Sequence, residues 1–559
     1  MTDAGPPRLW ENLYPTHLRN YQFDLTPGPD HPADILTLAA ERFGALPAFT
    51  VAHLDGTTES LSFVEAVRLS DAFAGYLESV LHLSAGDVVA VKLPNGLAFP
   101  IVVFGAWKAG LIVTPVNPFY TADETIHKIR DSGAKVIVTE GTMADNLKGN
   151  LLGLAVVLAD GAPFLNRTSA PFGNGSTGES LDGKQGRHAL VTALASKEIP
   201  SGRRSTVALY QYTGGTTGRS KGAVITAANL LATAVIIRDF FDGFGAPIEQ
   251  GTALTALPLY HIFAFLFGML VYVEAGTQNV IVPLARPVAN LQPAFKMFKI
   301  DWMAGVDTLY AGLLAEPWFR ETPPRLRFAI AGGAALRPSV AAEWEKLVGP
   351  ILEGYGLTET TGIVSCNPPT AARRSGSIGL PVPGTDIRIV DKQGCEVPMG
   401  ESGELLVRGA QVAAGYHGGE AEFSKSFDGG WLRTGDVAAF DASGMLVLRD
   451  RTKDMVLVSG FNVYPNEVEA VLTSHPGVAE AAVIGVPDDR TGESVKAFVV
   501  LRNPPPSIAE LDRHCRASLA AYKVPREFVA RAELPKSAVG KILRVALRGD
   551  IGNSEASGR

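Results

Sequence analysis

With 559 residues, 46% of them hydrophobic and only 19% charged, the chain is several times the usual single-domain size and rich enough in apolar side chains for large cores; this excludes a disordered chain and points to at least two domains. The 50 basic and 57 acidic residues are well mixed, and a net charge of −7 without a long basic block excludes a surface that tracks nucleic-acid backbones. Cys366, Cys395 and Cys515 lie far apart without CxxC spacing, so neither a disulfide framework nor a zinc site is indicated and a reducing cytoplasm is expected.

The first residues, MTDAGPPRLWENLYP, carry acids and prolines where a secretory signal needs a basic start and an apolar stretch, so no export is expected. From about Pro32 to Val282, apolar runs (VVAVKLP, KVIVTE, LAVVLAD, NVIVPLA) alternate with helix-like stretches such as SFVEAVRLSDAFAGYLESVL. That alternation predicts parallel sheets covered by helices. Residues Gly161 to Gly186, rich in Gly, Ser and Pro, read as a loop or tolerated insertion.

Next comes YTGGTTGRSKG, Tyr212 to Gly222, directly after the strand-like TVALYQY. Glycines turn backbone N–H groups toward a ligand, threonines add hydroxyls and a lysine adds a point charge, so this loop is built to hold phosphates. It is not the P-loop of ordinary NTPases, because Gly222 follows Lys221 where Ser or Thr is required. Thr252 to Val273 has no Asp, Glu, Lys or Arg across 22 residues, long enough to span a membrane, but Pro258, Tyr260 and His261 interrupt it. A buried strand end followed by a core helix is expected there.

Between Gly379 and Val458 short strands with Gly-rich turns predict a small barrel or hairpin sheet. The charged stretch Arg449 to Asp454 then precedes renewed helix and strand alternation (NEVEAVLTSH, VAEAAVIGV, VKAFVVL, IAELDRHCRASL) in a C-terminal domain of roughly 100 residues. No internal repeat is visible.

Five segments occur in a telling order: YTGGTTGRSKG, GYGLTET (Gly354 to Thr360), WLRTGDVAAFDASGMLVLRDR (Trp431 to Arg451), KDMVLVSGFNVYPNEVE (Lys453 to Glu469) and PKSAVGKILR (Pro535 to Arg544). Their residues and order resemble the adenylate-forming enzyme superfamily. GDVVAVKLPN and GAWKAGLIVTPVNPFYT carry the likeness back to about Pro47. QYTGGTTG, ALPLYHIFA, LEGYGLTE, SGSIGLPVPG and LPKSAVGKILR look most like bacterial long-chain fatty acyl-CoA synthetases.

The resemblance implies an α/β fold: a large N-terminal AMP-binding domain (1–452) of stacked αβ subdomains plus a small β-barrel, then a mobile α+β C-terminal domain (453–559) with its hinge at Lys453. It also implies a two-step reaction, in which a carboxylate and MgATP give an acyl-adenylate and pyrophosphate before the acyl group passes to the thiol of coenzyme A. Thr213, Thr216, Thr217 and Lys221 would hold the β and γ phosphates, with Gly214, Gly215 and Gly218 in the same loop. Thr358 corresponds to an α-phosphate contact and Glu359 to the magnesium ligand, a hard oxygen donor for a hard cation. Tyr355, followed by Gly356, would lie against adenine, which rests on Gly332, Gly333 and Ala334. Asp436 would bind the ribose hydroxyls and Arg451 ribose and phosphate.

Lys541 would bridge carboxylate and phosphate during adenylation; rotation at Lys453 would then withdraw it and bring Gly460 to a pantetheine channel. His261 and Tyr260 correspond to the residues beside the reacting carboxylate, and Phe263, Phe267, Val306, Leu309 and Ala335 are candidates for an acyl tunnel, although core packing gives the same composition. The sequence departs from the family at Ser220, where proline or alanine is frequent, and at Thr226 to Leu230, which lacks the usual histidine and arginine. Expected partners are a carboxylic acid, ATP and CoA. An aryl, dicarboxylic or medium-chain acid, a carrier-protein acceptor, and a monomer or a homodimer all stay open. Peripheral contact with the inner face of a membrane is compatible with a fatty substrate, but no amphipathic basic helix demands it.

Overall fold

The computed structural model of the protein describes residues 8–21, 28–145, 147, 154–159, 204–213, 220–451, 453–459, 461–488, 490–537 and 540–548. Two large sheets carry the N-terminal part. In one, Ala155–Leu158, Ala134–Thr139, Val88–Lys92, Ile112–Pro115 and Val207–Tyr212 lie side by side and parallel. Gly222–Thr226 and Gly415–Tyr416 extend that sheet antiparallel. In the other, Pro47–Ala52, Gln278–Ile281, Thr252–Thr255, Trp302–Gly305, Phe328–Ala331 and Ile351–Tyr355 are parallel, and short antiparallel strands finish both edges. The parallel centres agree with the alternation of apolar runs and helices; the antiparallel edges carry no such signature.

Parallel strands covered on both faces read as unbroken apolar runs. Val88–Lys92 and Phe328–Ala331 are accordingly buried at every position. The helix Ala98–Lys108 is buried almost all round, with Phe104 and Trp107 edge to face and Trp107 edge to face with Phe265. It belongs to one core that includes Phe49 and Val51 of one sheet and Val89 and Val91 of the other, so the two sheets share a filled interior. Each such side chain contributes about 1.5–3 kcal/mol on burial. Helix starts are written locally: Ser62 with Glu65, Thr121 with Glu124 and Ser507 with Glu510 form reciprocal capping boxes.

The uncharged stretch resolves into the strand Thr252–Thr255, a turn, and a helix Ile262–Phe265 that continues through a π-helical segment, Leu266–Val271, buried throughout. Among the described residues no helix is long and apolar enough to cross a membrane.

For residues 379–458 the structure has the hairpin sheet, not a barrel. Asp386–Val390, Gly403–Arg408 and Trp431–Phe440 pair antiparallel, and the last, ten residues long, divides its outer edge between Phe427–Asp428 and Leu446–Arg451. One long strand with two short partners leaves the ladder open. The C-terminal part has its own sheet, in which Val478–Asp488 and Gly492–Leu501 form a long hairpin, and its own core around Val468, Leu472, Val483, Val499 and Leu511 beneath the helices Pro465–Ser474 and Ile508–Ser518. Arg337, paired with Asp307 at 2.8 Å, reaches across to the carbonyl of Ala479.

Candidate active site

Strands Val207–Tyr212, Phe328–Ala331, Ile351–Tyr355 and Leu446–Arg451 end around one cleft of about 1050 Å³, where open α/β sheets place their ligands. Thr213, Lys221, His261, Gly332, Gly333, Tyr355, Gly356, Thr358, Glu359, Arg451, Lys453 and Lys541 all line it, together with Ser220, Tyr260, Phe263 and Phe267. Residues separated by more than three hundred positions therefore meet at one surface. Gly214, Gly215, Thr216, Thr217, Gly218 and Gly460 lie outside the described residues.

Each wall has a local cause. Gly356 follows a strand, and a Cβ there would run into the backbone of Gly362, so only glycine allows the turn. Thr358 and Glu359 then sit on the single 3-10 turn Thr358–Thr360, with the Tyr416 hydroxyl donating to Glu359 Oε1 at 2.6 Å. Tyr416 reaches this point because Gly415–Tyr416 pairs with Gly222–Thr226, the strand that follows Lys221. The Lys221 ammonium lies 5.5 Å from the Tyr416 ring centre.

Tyr355 donates its hydroxyl to Asp436 Oδ2 at 2.5 Å, and Arg451 Nε approaches Oδ1 of the same carboxylate at 3.2 Å. Asp436 and Arg451 are cross-strand partners, so the sheet register makes this pair. Asp436 is 2% exposed and sits behind Tyr355. Burial raises its pKa while Arg451 draws it back. Burial lowers the Lys541 ammonium to about 8, with Arg451 adding to the drop and Asp436 opposing it. His261 caps the helix Ile262–Phe265 through Nδ1, which accepts from the Phe263 N–H at 3.4 Å. Burial, then Lys541, pulls its pKa to about 4, so the ring is neutral near pH 7.

Several expected positions fall elsewhere. Ala334 follows Gly333 but does not line the cleft. Val306 and Leu309 are packed into the core beneath the second sheet, and Ala335 is exposed. The apolar wall is instead built by Ile237, Phe240 and Phe241, spaced i, i+3, i+4 on the helix Ala227–Gly243, with Phe263, Phe267, Ile330 and Val382. That spacing was visible in the sequence but is also how any core-facing helix reads. Tyr260, expected beside the reacting carboxylate, lines the cleft, whereas sequence reasoning missed Gln211; Gln211 Oε1 and the Tyr260 hydroxyl are buried without a hydrogen-bond partner among the described residues. Orphaned polar atoms in a cleft fit a polar ligand.

The donor set also fits a nucleotide with a divalent cation. Glu359 offers one carboxylate, and among the described residues no group of three or more His, Cys, Asp or Glu could hold a metal alone. One carboxylate completed by phosphate oxygens is a magnesium arrangement.

A sequence model described as AMP-binding enzyme matches residues 36–417, and one described as AMP-binding enzyme C-terminal domain matches 467–541. The chain is 38% identical over 565 residues to the long-chain-fatty-acid--CoA ligase of Salmonella typhimurium, covering 97% of this chain and 98% of that protein. Among solved structures, ATP-bound MatB from Rhodopseudomonas palustris superposes with a TM-score of 0.79 at 28% identity, covering 93% and 98% of the two chains. O-succinylbenzoate coenzyme A synthetase (MenE) from Bacillus subtilis, in complex with ATP and magnesium ion, gives 0.74 at 26% identity over 92% and 99%.

Proposed function

The chain belongs to the AMP-binding enzyme family, and from that premise we propose that it is an ATP-dependent ligase joining a long-chain fatty acid to coenzyme A. The observation that carries this reading is the convergence of Lys221, Thr358, Glu359, Arg451 and Lys541 on a cleft whose other wall is Ile237, Phe240, Phe241, Phe263 and Phe267. One side offers cations, hydroxyls and a carboxylate for a triphosphate; the other offers an apolar surface for an alkyl chain.

A carboxylate is a poor acylating agent because its charge repels nucleophiles. In the first step its oxygen attacks the α-phosphorus of ATP, a P–O bond forms, and pyrophosphate leaves. Negative charge accumulates around phosphorus, and Lys541 between acid and phosphate, with Thr358 beside it, answers that charge. Lys221 and Thr213 hold the departing phosphates. A magnesium ion on Glu359 and the phosphate oxygens would neutralise charge there. Tyr355 and the Gly332–Gly333 turn flank adenine, and Asp436 with Arg451 orients the ribose. The neutral His261 sets no charge against the incoming carboxylate. In the second step the thiolate of CoA attacks the acyl carbon, AMP leaves, and the thioester forms.

Bridging carboxylate and phosphate, Lys541 would occupy the approach of a second substrate to the acyl carbon, so the two steps call for two arrangements. The separate core of the C-terminal part supports a rigid-body swing about Lys453, with residues 1–452 and 453–559 as the two domains. Exposure of Leu457 and Phe461 on the hairpin beside Gly460 supports a second docked position in which they are covered.

The test is AMP and pyrophosphate release with a long-chain fatty acid, with and without CoA, in the unaltered protein and in Lys541→Ala. Pyrophosphate formation is expected to fall by about a hundredfold or more in the variant. AMP release independent of CoA would rule out the proposed acceptor.

A further inference from the structure

Lys128 belongs to none of the segments that carry the family likeness, yet it lines the same cleft from the helix Ala122–Ser132. Its side chain is buried, 5% exposed. The ammonium lies 4.9 Å from the ring centre of Tyr120 and 4.4 Å from that of Tyr212, within cation–π range of both. It donates to Ser220 Oγ at 3.3 Å. The Ser220 hydroxyl uses its own proton on the Thr213 carbonyl, and the Thr213 N–H donates to the Lys221 carbonyl at 2.9 Å. Ser220 is thus satisfied as acceptor and donor at once. Thr213, Ser220 and Lys221 are the two ends of the glycine-rich loop, and Lys128 is the cation that closes the chain of bonds between them.

A lysine removed from water is costly unless negative charge compensates it. Asp131 is the carboxylate beside it on the same helix, and its Oδ2 already accepts from the Tyr212 hydroxyl at 2.5 Å; Glu124 also acts on the lysine. Burial outweighs both carboxylates and draws the ammonium down to about 8. Lys128 therefore brings to the cleft wall a buried ammonium whose neighbouring carboxylate Asp131 is already engaged by Tyr212. The Ser220 hydroxyl supplies the side-chain acceptor that this link to the ammonium requires.

We propose that Lys128 is a positioning residue for the phosphate loop: through Ser220 it fixes the Thr213–Lys221 base, and it adds a second positive charge behind the terminal phosphates of ATP. This rests on the nucleotide reading of the cleft given above.

The experiment is titration of the purified full-length protein with MgATP and separately with AMP, for the unaltered chain, Lys128→Met, Lys128→Arg, Ser220→Ala and the Lys128→Met/Ser220→Ala double variant, with thermal unfolding of each. Lys128→Met is expected to weaken MgATP about tenfold while leaving AMP within about twofold, because only ATP carries the phosphates that this charge faces. Lys128→Arg should restore most of the affinity. Ser220→Ala should weaken MgATP less, and the double variant should be no worse than Lys128→Met, since both changes break one link. Should Lys128→Met fail to fold, Lys128→Arg and Ser220→Ala still read the same link. Equal losses for MgATP and AMP, unchanged MgATP binding, or fully additive losses would overturn the proposal. Failure of the unaltered protein to bind MgATP would instead overturn the functional reading beneath it.

Discussion

Burial and the Arg451 guanidinium lower the Lys541 ammonium to about 8, and this makes the first half-reaction sensitive to alkaline pH. In the proposed reaction the lysine works as a cation, so protonation below its pKa would sustain adenylation and deprotonation above it would remove the charge that meets the phosphate. In the free enzyme, kcat/KM for pyrophosphate formation is expected to decline as pH rises through about 8. His261, held near 4, stays neutral throughout and contributes no break around neutrality. Lys541→Arg, slower in absolute rate because its fork is differently shaped, should lose the part of the alkaline decline that persists in kcat at saturating MgATP, since guanidinium keeps its proton there. Any decline confined to MgATP binding belongs to Lys128, also near 8. An identical alkaline limb in both proteins would assign it to another group. Lys541 was legible from the sequence through its surrounding motif. Asp436 was legible in the same way, but its bonds to Tyr355 and Arg451 were not, because they depend on sheet register.

The turn that presents Lys541 depends on its neighbour. Gly540 has a φ of +85°, and a Cβ on it would meet the Arg286 guanidinium and the Thr308 hydroxyl of the N-terminal part. A side chain there costs backbone strain and pushes the turn out of the cleft at once. Gly540→Ala is expected to slow adenylation by about ten- to a hundredfold, consistent with 1–3 kcal/mol of strain, while thioester formation from added acyl-adenylate changes much less. Equal losses in both half-reactions would show that the turn matters beyond docking Lys541. At this scale the sequence spoke unevenly. Strands such as Val88–Lys92 and the helix Phe63–Ser79 rest on local pattern and were read from it. The pairing of Gly415–Tyr416 with Gly222–Thr226, which brings Tyr416 to Glu359, joins distant segments through two residues and leaves no pattern to find.

For the whole molecule, one cleft joins the sheets, the hairpin layer and the C-terminal turn, and its two walls have opposite chemistry. Thr213 and Lys221, which the sequence put at the two ends of a loop built to hold phosphates, do line the cleft, whereas the glycines and threonines between them lie outside the described residues. The apolar wall was not legible. Val306 and Leu309 turned out to be core, whereas Phe240 and Phe241, which line the cleft, look like core in sequence, because a tunnel and a packed interior draw on the same residues. Substrate choice therefore belongs to the assembled cleft, and kcat/KM for CoA-dependent thioester formation across short-chain to long-chain fatty acids and several aryl acids measures it directly. The wall of Ile237, Phe240, Phe241, Phe263 and Phe267 predicts values that rise with chain length to a maximum among long-chain acids; a maximum on an aryl or short-chain acid would contradict it.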